Sequence, residues 1–174
     1  RFILETGLIT VYCGLEIDYQ PHRRLARITQ TRHIDRMLNL FSMTDTRPTR
    51  YPLPPGKAGE LIHQPWLGTA SERENFDYAT FVGDLIWVTK TRFDLKFAAH
   101  TLATHMRNPG PHQVNAANHV LRYLFGTKDL ALTFSNPEHP SGWPLQHKLI
   151  TTADAGINHF GEPGITGIAV ALNG

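Results

Sequence analysis

The sequence predicts an α+β fold: a β-hairpin, then a bundle of three to four helices, then a partial β unit. Three observations predict it. Apolar residues recur at helical spacing through most of the stretch from His33 to Leu124 that lies outside a proline-rich segment. Short runs rich in β-branched and aromatic residues flank that stretch at both ends. Prolines cluster between Thr44 and Ser71 and again from Pro137 to Pro144, which separates the parts.

Thr10 to Asp18, TVYCGLEID, and Leu25 to Thr29, LARIT, read as the two strands of the hairpin. YQPHRR lies between them, and Pro21 suits that turn because it would remove a donor from a central strand. Cys13, inside the first strand, is expected to be a small buried hydrophobe.

Thr31 is a candidate N-cap for a helix in which Ile34, Met37, Leu38 and Phe41 share one face. Arg32 and Arg36 lie together on another face, and Asp35 is expected in the first turn, where a carboxylate suits the helix dipole. From Thr44 to Ser71 the period vanishes. Pro48, Pro52, Pro54, Pro55 and Pro65 forbid a long helix there, so this segment reads as a strap wrapping a surface.

Ser71 and Glu74 have capping-box spacing ahead of a second helix, in which Phe81, Val82, Leu85, Ile86, Trp87 and Val88 make most sides apolar. Asp94 is a candidate cap for a third, with Leu95, Ala99, Leu102 and Met106 as its stripe and Asn108-Pro109-Gly110-Pro111 as its stop. A fourth begins near His112. Val114, Ala117, Leu121 and Leu124 form its core face, Asn115, Asn118, His119 and Arg122 the opposite face, and Gly126 is expected to end it. LALTF, KLITTADA and GIAVAL follow as candidate strands.

Hydrophobic residues make up 41% and charged residues 18% of the 174, which is the composition of a folded chain. The net charge of +2 permits nucleic-acid binding without demanding it. Cys13 is the one cysteine, so an intrachain disulfide is excluded and a reducing compartment is expected. No run of apolar residues has the length of a membrane span, and no secretory signal opens the chain. Arg1 stands first without an initiator Met, and Asn173-Gly174 is a hairpin-turn signal with no returning strand. The expectation is a fragment of a longer protein.

Zinc and nucleophilic sites find no support. His100 and His105 are five apart rather than four, no Cys-x-x-Cys exists, and GKAGE lacks phosphate-loop spacing. Trp66, Trp87 and Trp143 are expected to be core or strap anchors rather than base-stacking platforms.

Seven blocks follow one another from about Val11 to Gly174: YCGLEID, RITQTRHIDRMLNLFSM, RPTRYPLPPGK, FDYATFVGDLIWV, TRFDLKFAAHTLATHMRNP, HQVNAANHVLRYLFGTKDLALTF, and TTADAG with the later ITGIAVALNG. In order and spacing they resemble the Pol polyprotein of copia-type LTR retrotransposons. The family reads there as FLGIEI, a strand with Ser-Gln then helix and Phe-Gly-Met, a strap ending PLPPG, YRSLVGSLLYL, TRPDIxFAVxxLSRFMxNP, HWxAAKRVLRYLKGTxDxGLxF, and SDAD ahead of STSGY. The resemblance implies a hairpin leaving the reverse transcriptase palm over residues 1–30, a helical thumb and connection over 31–135 with the strap at 44–71, and the truncated start of an RNase H-like domain over 145–174.

The same resemblance implies that the chain grips an RNA/DNA template-primer duplex and works with the remainder of the Pol polyprotein. The setting would be a cytoplasmic virus-like particle whose DNA later enters the nucleus. Mg2+ would serve the parent enzyme. The residues with donors for phosphate oxygens are Arg32, Arg36, Asn115, Asn118, His119 and Arg122. Asp154 is the candidate first RNase H carboxylate if one small gap is allowed; without the gap Thr152 takes that place. Phe93 replaces a family proline, Cys13 replaces a leucine, and the upstream Tyr-Val-Asp-Asp polymerase motif is absent. One carboxylate cannot hold two metal ions, so no metal is expected on the chain alone and it is expected neither to polymerise nor to cleave. Magnesium-dependent primer extension by the purified chain would overturn that. The alternative is a non-catalytic, degenerate or host-adopted retroelement-derived binding module.

Overall fold

The computed structural model describes residues 7–68 and 75–135, and the backbone of two further strands, 148–156 and 165–173. The chain divides into two compact units, Arg1–Phe134 and Ser135–Gly174. The architecture is mixed α and β.

The first unit opens on a sheet. β1 (Val11–Tyr12), β2 (Leu15–Gln20) and β3 (Leu25–Thr29) are antiparallel neighbours, with Tyr12 opposite Leu15 and Ile17 opposite Ile28. The predicted first strand is therefore two strands. Cys13 and Gly14 form the two-residue link between them, both at positive φ (48° and 77°), and Cys13 is exposed rather than buried. A two-residue hairpin needs that left-handed backbone, and Gly14 supplies half of it without steric cost. Pro21 begins a short 3-10 turn between β2 and β3, as the turn chemistry predicts. β4 (Leu132–Ser135), the LALTF run, joins β3 as the fourth strand of this sheet instead of grouping with the later strands.

α1 (Thr31–Leu40) starts one residue earlier than a Thr31 cap allows. Gln30 holds the N-cap position, and no acidic residue lies in the first turn. The Thr31 hydroxyl donates to the Lys128 carbonyl (3.3 Å) instead of capping its own helix. Gln30 is buried and fully engaged: its amide donates to the Trp87 carbonyl (3.2 Å) and its oxygen accepts from Thr91 (2.7 Å).

The strap is irregular except for α2 (Lys57–Glu60) and a following 3-10 turn that buries Ile62. Helix returns there because GKAGELI carries no proline. α3 (Tyr78–Val88) is capped by Asp77, whose carboxylate accepts from the Thr80 amide (3.2 Å). Ser71 and Glu74 lie outside the described residues. Phe81, Val82, Leu85 and Val88 are buried, whereas Ile86 is exposed, so α3 keeps one open side.

α4 (Lys96–Ala103) is shorter than its stripe implied. Leu95, not Asp94, holds its N-cap position, and the helix stops before Met106, which is exposed. The Thr104 hydroxyl bonds back to the Thr101 carbonyl (2.7 Å), a competing bond of the kind that loosens a helix end. α5 (Pro111–Thr127) runs through Gly126 rather than ending on it.

The core lies among the helices. Ile34, Met37 and Leu38 of α1 meet Phe81, Val82, Leu85 and Val88 of α3, Leu102 of α4, and Val114, Ala117, Leu121 and Leu124 of α5. Burying each large apolar side chain contributes about 1.5–3 kcal/mol. Phe41 closes one end, stacked on Phe76 at 4.8 Å between ring centroids. In the second unit, β5 (Lys148–Gly156) and β6 (Ile165–Asn173) form an antiparallel pair. No helix among the described residues is long and apolar enough to cross a membrane.

Candidate nucleic-acid interface

The polar face of α5 is not bare. The strap crosses it. The Arg122 Nε donates to the Arg47 carbonyl (2.9 Å), and the His119 Nε2 donates to the Tyr51 carbonyl (3.0 Å), which assigns its proton to that nitrogen. The Thr49 hydroxyl lies within reach of both the Tyr51 carbonyl (3.3 Å) and the His119 carbonyl (3.4 Å). Pro48 sits against Gly126, where an added Cβ would fall 2.6 Å from the proline's own Cβ. Gly126 thus serves close approach of the strap, not helix termination. Asn115 stands clear of these contacts and is exposed; Asn118 is half-buried. Burial lowers the pKa of His119; the bond to Tyr51 opposes this, and the nearby Arg122 charge adds to it.

The other end of the strap is fixed as firmly. Gln113 is buried at the start of α5, accepts from the Gly110 amide (2.9 Å), and donates to the carbonyls of Ile62 and Gln64. Asn108 donates to the Trp66 carbonyl (2.8 Å), and the Trp66 ring lies so close over Gly110 that a Cβ there would be 2.4 Å from it. Trp66 is the strap anchor its type suggested.

Charge compensation separates the arginines into two groups. Arg32 pairs with Glu16 (2.9 Å) and Arg36 with Asp84 (3.0 Å), so the two sequence-predicted arginines of α1 face carboxylates of β2 and α3. Arg36 also donates to His33 Nδ1 (3.1 Å), which leaves the buried His33 Nε2 facing Asp84 at 3.5 Å without a well-formed hydrogen bond. Arg47, Arg50 and Arg122 have no carboxylate partner among the described residues. Arg50 instead lies over the Tyr51 ring, 5.5 Å from its centroid. Arg47 and Arg50 were not singled out from sequence. Both lie in RPTRYPLPPGK, whose prolines mark a strap but carry no period that would single out an arginine.

Arg92 and Asp94 of the TRFD block form a structural joint. Arg92 donates to both carboxylate oxygens of Asp94 (2.9 and 2.7 Å) and to the carbonyl and hydroxyl of Thr127 (2.8 and 2.9 Å) at the end of α5. The Tyr123 hydroxyl donates to the same carboxylate (2.8 Å). Burial raises the Asp94 pKa, but the bonds from Arg92 and Tyr123 outweigh it and hold the carboxyl below its ordinary value.

Asp154 lies on β5, paired with Gly167 of β6. Among the described residues no group of three or more His, Cys, Asp or Glu converges. A groove of about 320 Å³ runs over the polar side of the sheet, lined by Glu16, Asp18, Arg27, Thr29 and Asp129. Its carboxylates oppose an anionic ligand.

Neither a family model nor a solved structure matches the chain. Three curated proteins do. An uncharacterized mitochondrial protein, AtMg00810, of Arabidopsis thaliana is 28% identical over 123 residues, 71% of this chain and 48% of that protein. The retrovirus-related Pol polyprotein from transposon TNT 1-94 of Nicotiana tabacum is 29% identical over 131 residues, 72% of this chain and 10% of the polyprotein. The retrovirus-related Pol polyprotein from transposon RE1 of Arabidopsis thaliana is 29% identical over 116 residues, 67% of this chain and 7% of the polyprotein. The chain thus spans about half of the first relative and a tenth or less of the other two. Its relatives are retrovirus-related Pol polyproteins of plant transposons and a mitochondrial protein, and this similarity supports a retrotransposon Pol origin.

Proposed function

We propose that this chain is the part of a copia-type reverse transcriptase and RNase H polyprotein that holds the template-primer duplex during RNA-directed DNA synthesis. The observation that carries the proposal is the strap-covered face of α5, where Arg122 stands without a compensating carboxylate among the described residues and Asn115 is exposed about two turns earlier on the helix. Donors of that kind suit phosphate oxygens, which position a duplex without reading its sequence. In this reading Arg32 and Arg36 contribute less, because each already faces a carboxylate. Mg2+ and the acidic residues that bind it belong to the parent enzyme, and the parent works in cytoplasmic particles. The alternative, a non-catalytic retroelement-derived module, is favoured by Phe93 in place of the family proline; that ring is 55% exposed.

Titration of the full chain with a fluorescent RNA·DNA hybrid at rising salt tests the proposal. The expected result is sequence-independent binding that weakens steeply between about 50 and 200 mM salt. No binding at the lower salt overturns it.

A further inference from the structure

We infer that Arg47 and Arg50 of the strap form a phosphodiester-binding clamp with Arg122, and that α5 serves as the seat holding the two strap arginines in place. The inference rests on the duplex-holding reading and names the groups that make the contact.

The argument starts from the backbone. Residues 47–51 carry no regular secondary structure, and a long side chain on a loose segment loses much entropy when it binds. Here the segment is tied down. The carbonyl of Arg47 accepts from Arg122 Nε, and the carbonyl of Tyr51 accepts from His119 Nε2. Pro48, between them, packs on Gly126. The strap is fixed through its carbonyl oxygens and a proline ring, so no guanidinium of the strap is consumed in holding it.

The charges then remain available. Arg47 and Arg50 are exposed and have no carboxylate partner among the described residues. Arg50 lies over the exposed Tyr51 ring, a contact that restrains the guanidinium and leaves its charge intact. Arg122 uses Nε for the strap, and its two terminal nitrogens make no hydrogen bond to any described residue. Two exposed arginines thus stand three residues apart on the strap segment whose backbone is tied to Arg122, and each guanidinium can offer a planar fork to phosphate oxygens. Exposure alone does not produce this. The Arg32 side chain is 80% exposed, yet its charge is answered by Glu16.

The test compares salt dependence of hybrid binding for the unsubstituted chain, R47A/R50A and R23A. Arg23 is exposed in the 3-10 turn between β2 and β3 and is not part of the strap or of α5. The strap arginines are also exposed, so R47A/R50A keeps the urea midpoint of the unsubstituted chain, which checks the fold. The expected result is that the slope of log K against log salt becomes shallower, its magnitude falling by about 1.8 for R47A/R50A, about 0.9 per lost phosphate contact, with an unchanged slope for R23A. Binding by the unsubstituted chain with an unchanged slope in R47A/R50A overturns this inference and leaves the duplex-holding function standing. An equal fall in R23A also overturns it, since any exposed arginine would then serve. No binding by the unsubstituted chain overturns the function and the clamp together.

Discussion

Arg92 has a side chain only 3% exposed and a full positive charge, so its surroundings must supply what water would. They do so with four hydrogen bonds, two to Asp94 and two to Thr127. Asp94 is 37% exposed at its side chain, so solvent screens part of this pair and the loss on breaking it lies below that of a fully buried one. Asp94→Asn is expected to lower stability by about 2 kcal/mol at neutral pH, read from urea unfolding. The same change at Asp35, where both side chains of the pair with Lys128 are solvated (44% and 37% exposed), is expected to leave the midpoint nearly unmoved. Equal effects would mean that the Arg92 joint adds nothing beyond an ordinary surface pair. Sequence spacing made Asp94 a helix cap; the buried charge two residues before it decided its partner instead.

At the scale of the element, the strap behaves as a ligand of α5. It is held near residues 47–51 by His119, Arg122 and Gly126, and near residues 62–66 by Gln113 and Gly110. Gln113 is the stricter of these, because it is 1% exposed and satisfies two strap carbonyls and one helix-start amide. Gln113→Leu keeps the volume and removes every polar contact. It is expected to lower stability by about 1–3 kcal/mol, the penalty for leaving buried backbone groups unpaired. Hydrogen exchange by mass spectrometry should then show faster exchange at the start of α5 and in the strap, with the middle of α3 unchanged. Uniform exchange rates throughout would show that the strap and helix open with the whole unit rather than as a separable element.

For the whole molecule, acid sensitivity follows from two histidines. Burial, the largest influence on each, lowers the pKa of His33 and of His119 below the ordinary 6.5. Around His33, Asp84 opposes the shift and Arg36 adds to it; around His119, Tyr51 opposes and Arg122 adds. With the folded values depressed, the unfolded chain binds more protons near and below 6.5, so stability rises with pH across that window. The urea midpoint is therefore expected to fall as pH drops from about 7.5 to about 5.5, and His33→Asn should flatten that fall. A flat profile in the unsubstituted chain would overturn the assignment. Asp94, held below its ordinary value, adds a second loss of stability only at much lower pH.

The amino-acid sequence by itself determined that helices α1, α3, α4 and α5 exist and which residues of each form the buried face, but not the link at Cys13-Gly14, the short α2 or where α4 and α5 end. Ile34, Met37 and Leu38, Phe81 and Leu85, and Leu121 and Leu124 are buried where their spacing puts them, because a repeat of three or four residues is local information. It also carried the likeness to retrotransposon Pol polyproteins. Tertiary structure alone decided what becomes of the polar faces. His119 and Arg122 bond to carbonyls that lie 68 and 75 residues away, while Arg32 and Arg36 meet carboxylates. Every residue carries a backbone carbonyl, so no side-chain pattern marks which of them a distant arginine will find. That choice belongs to the folded path of the strap.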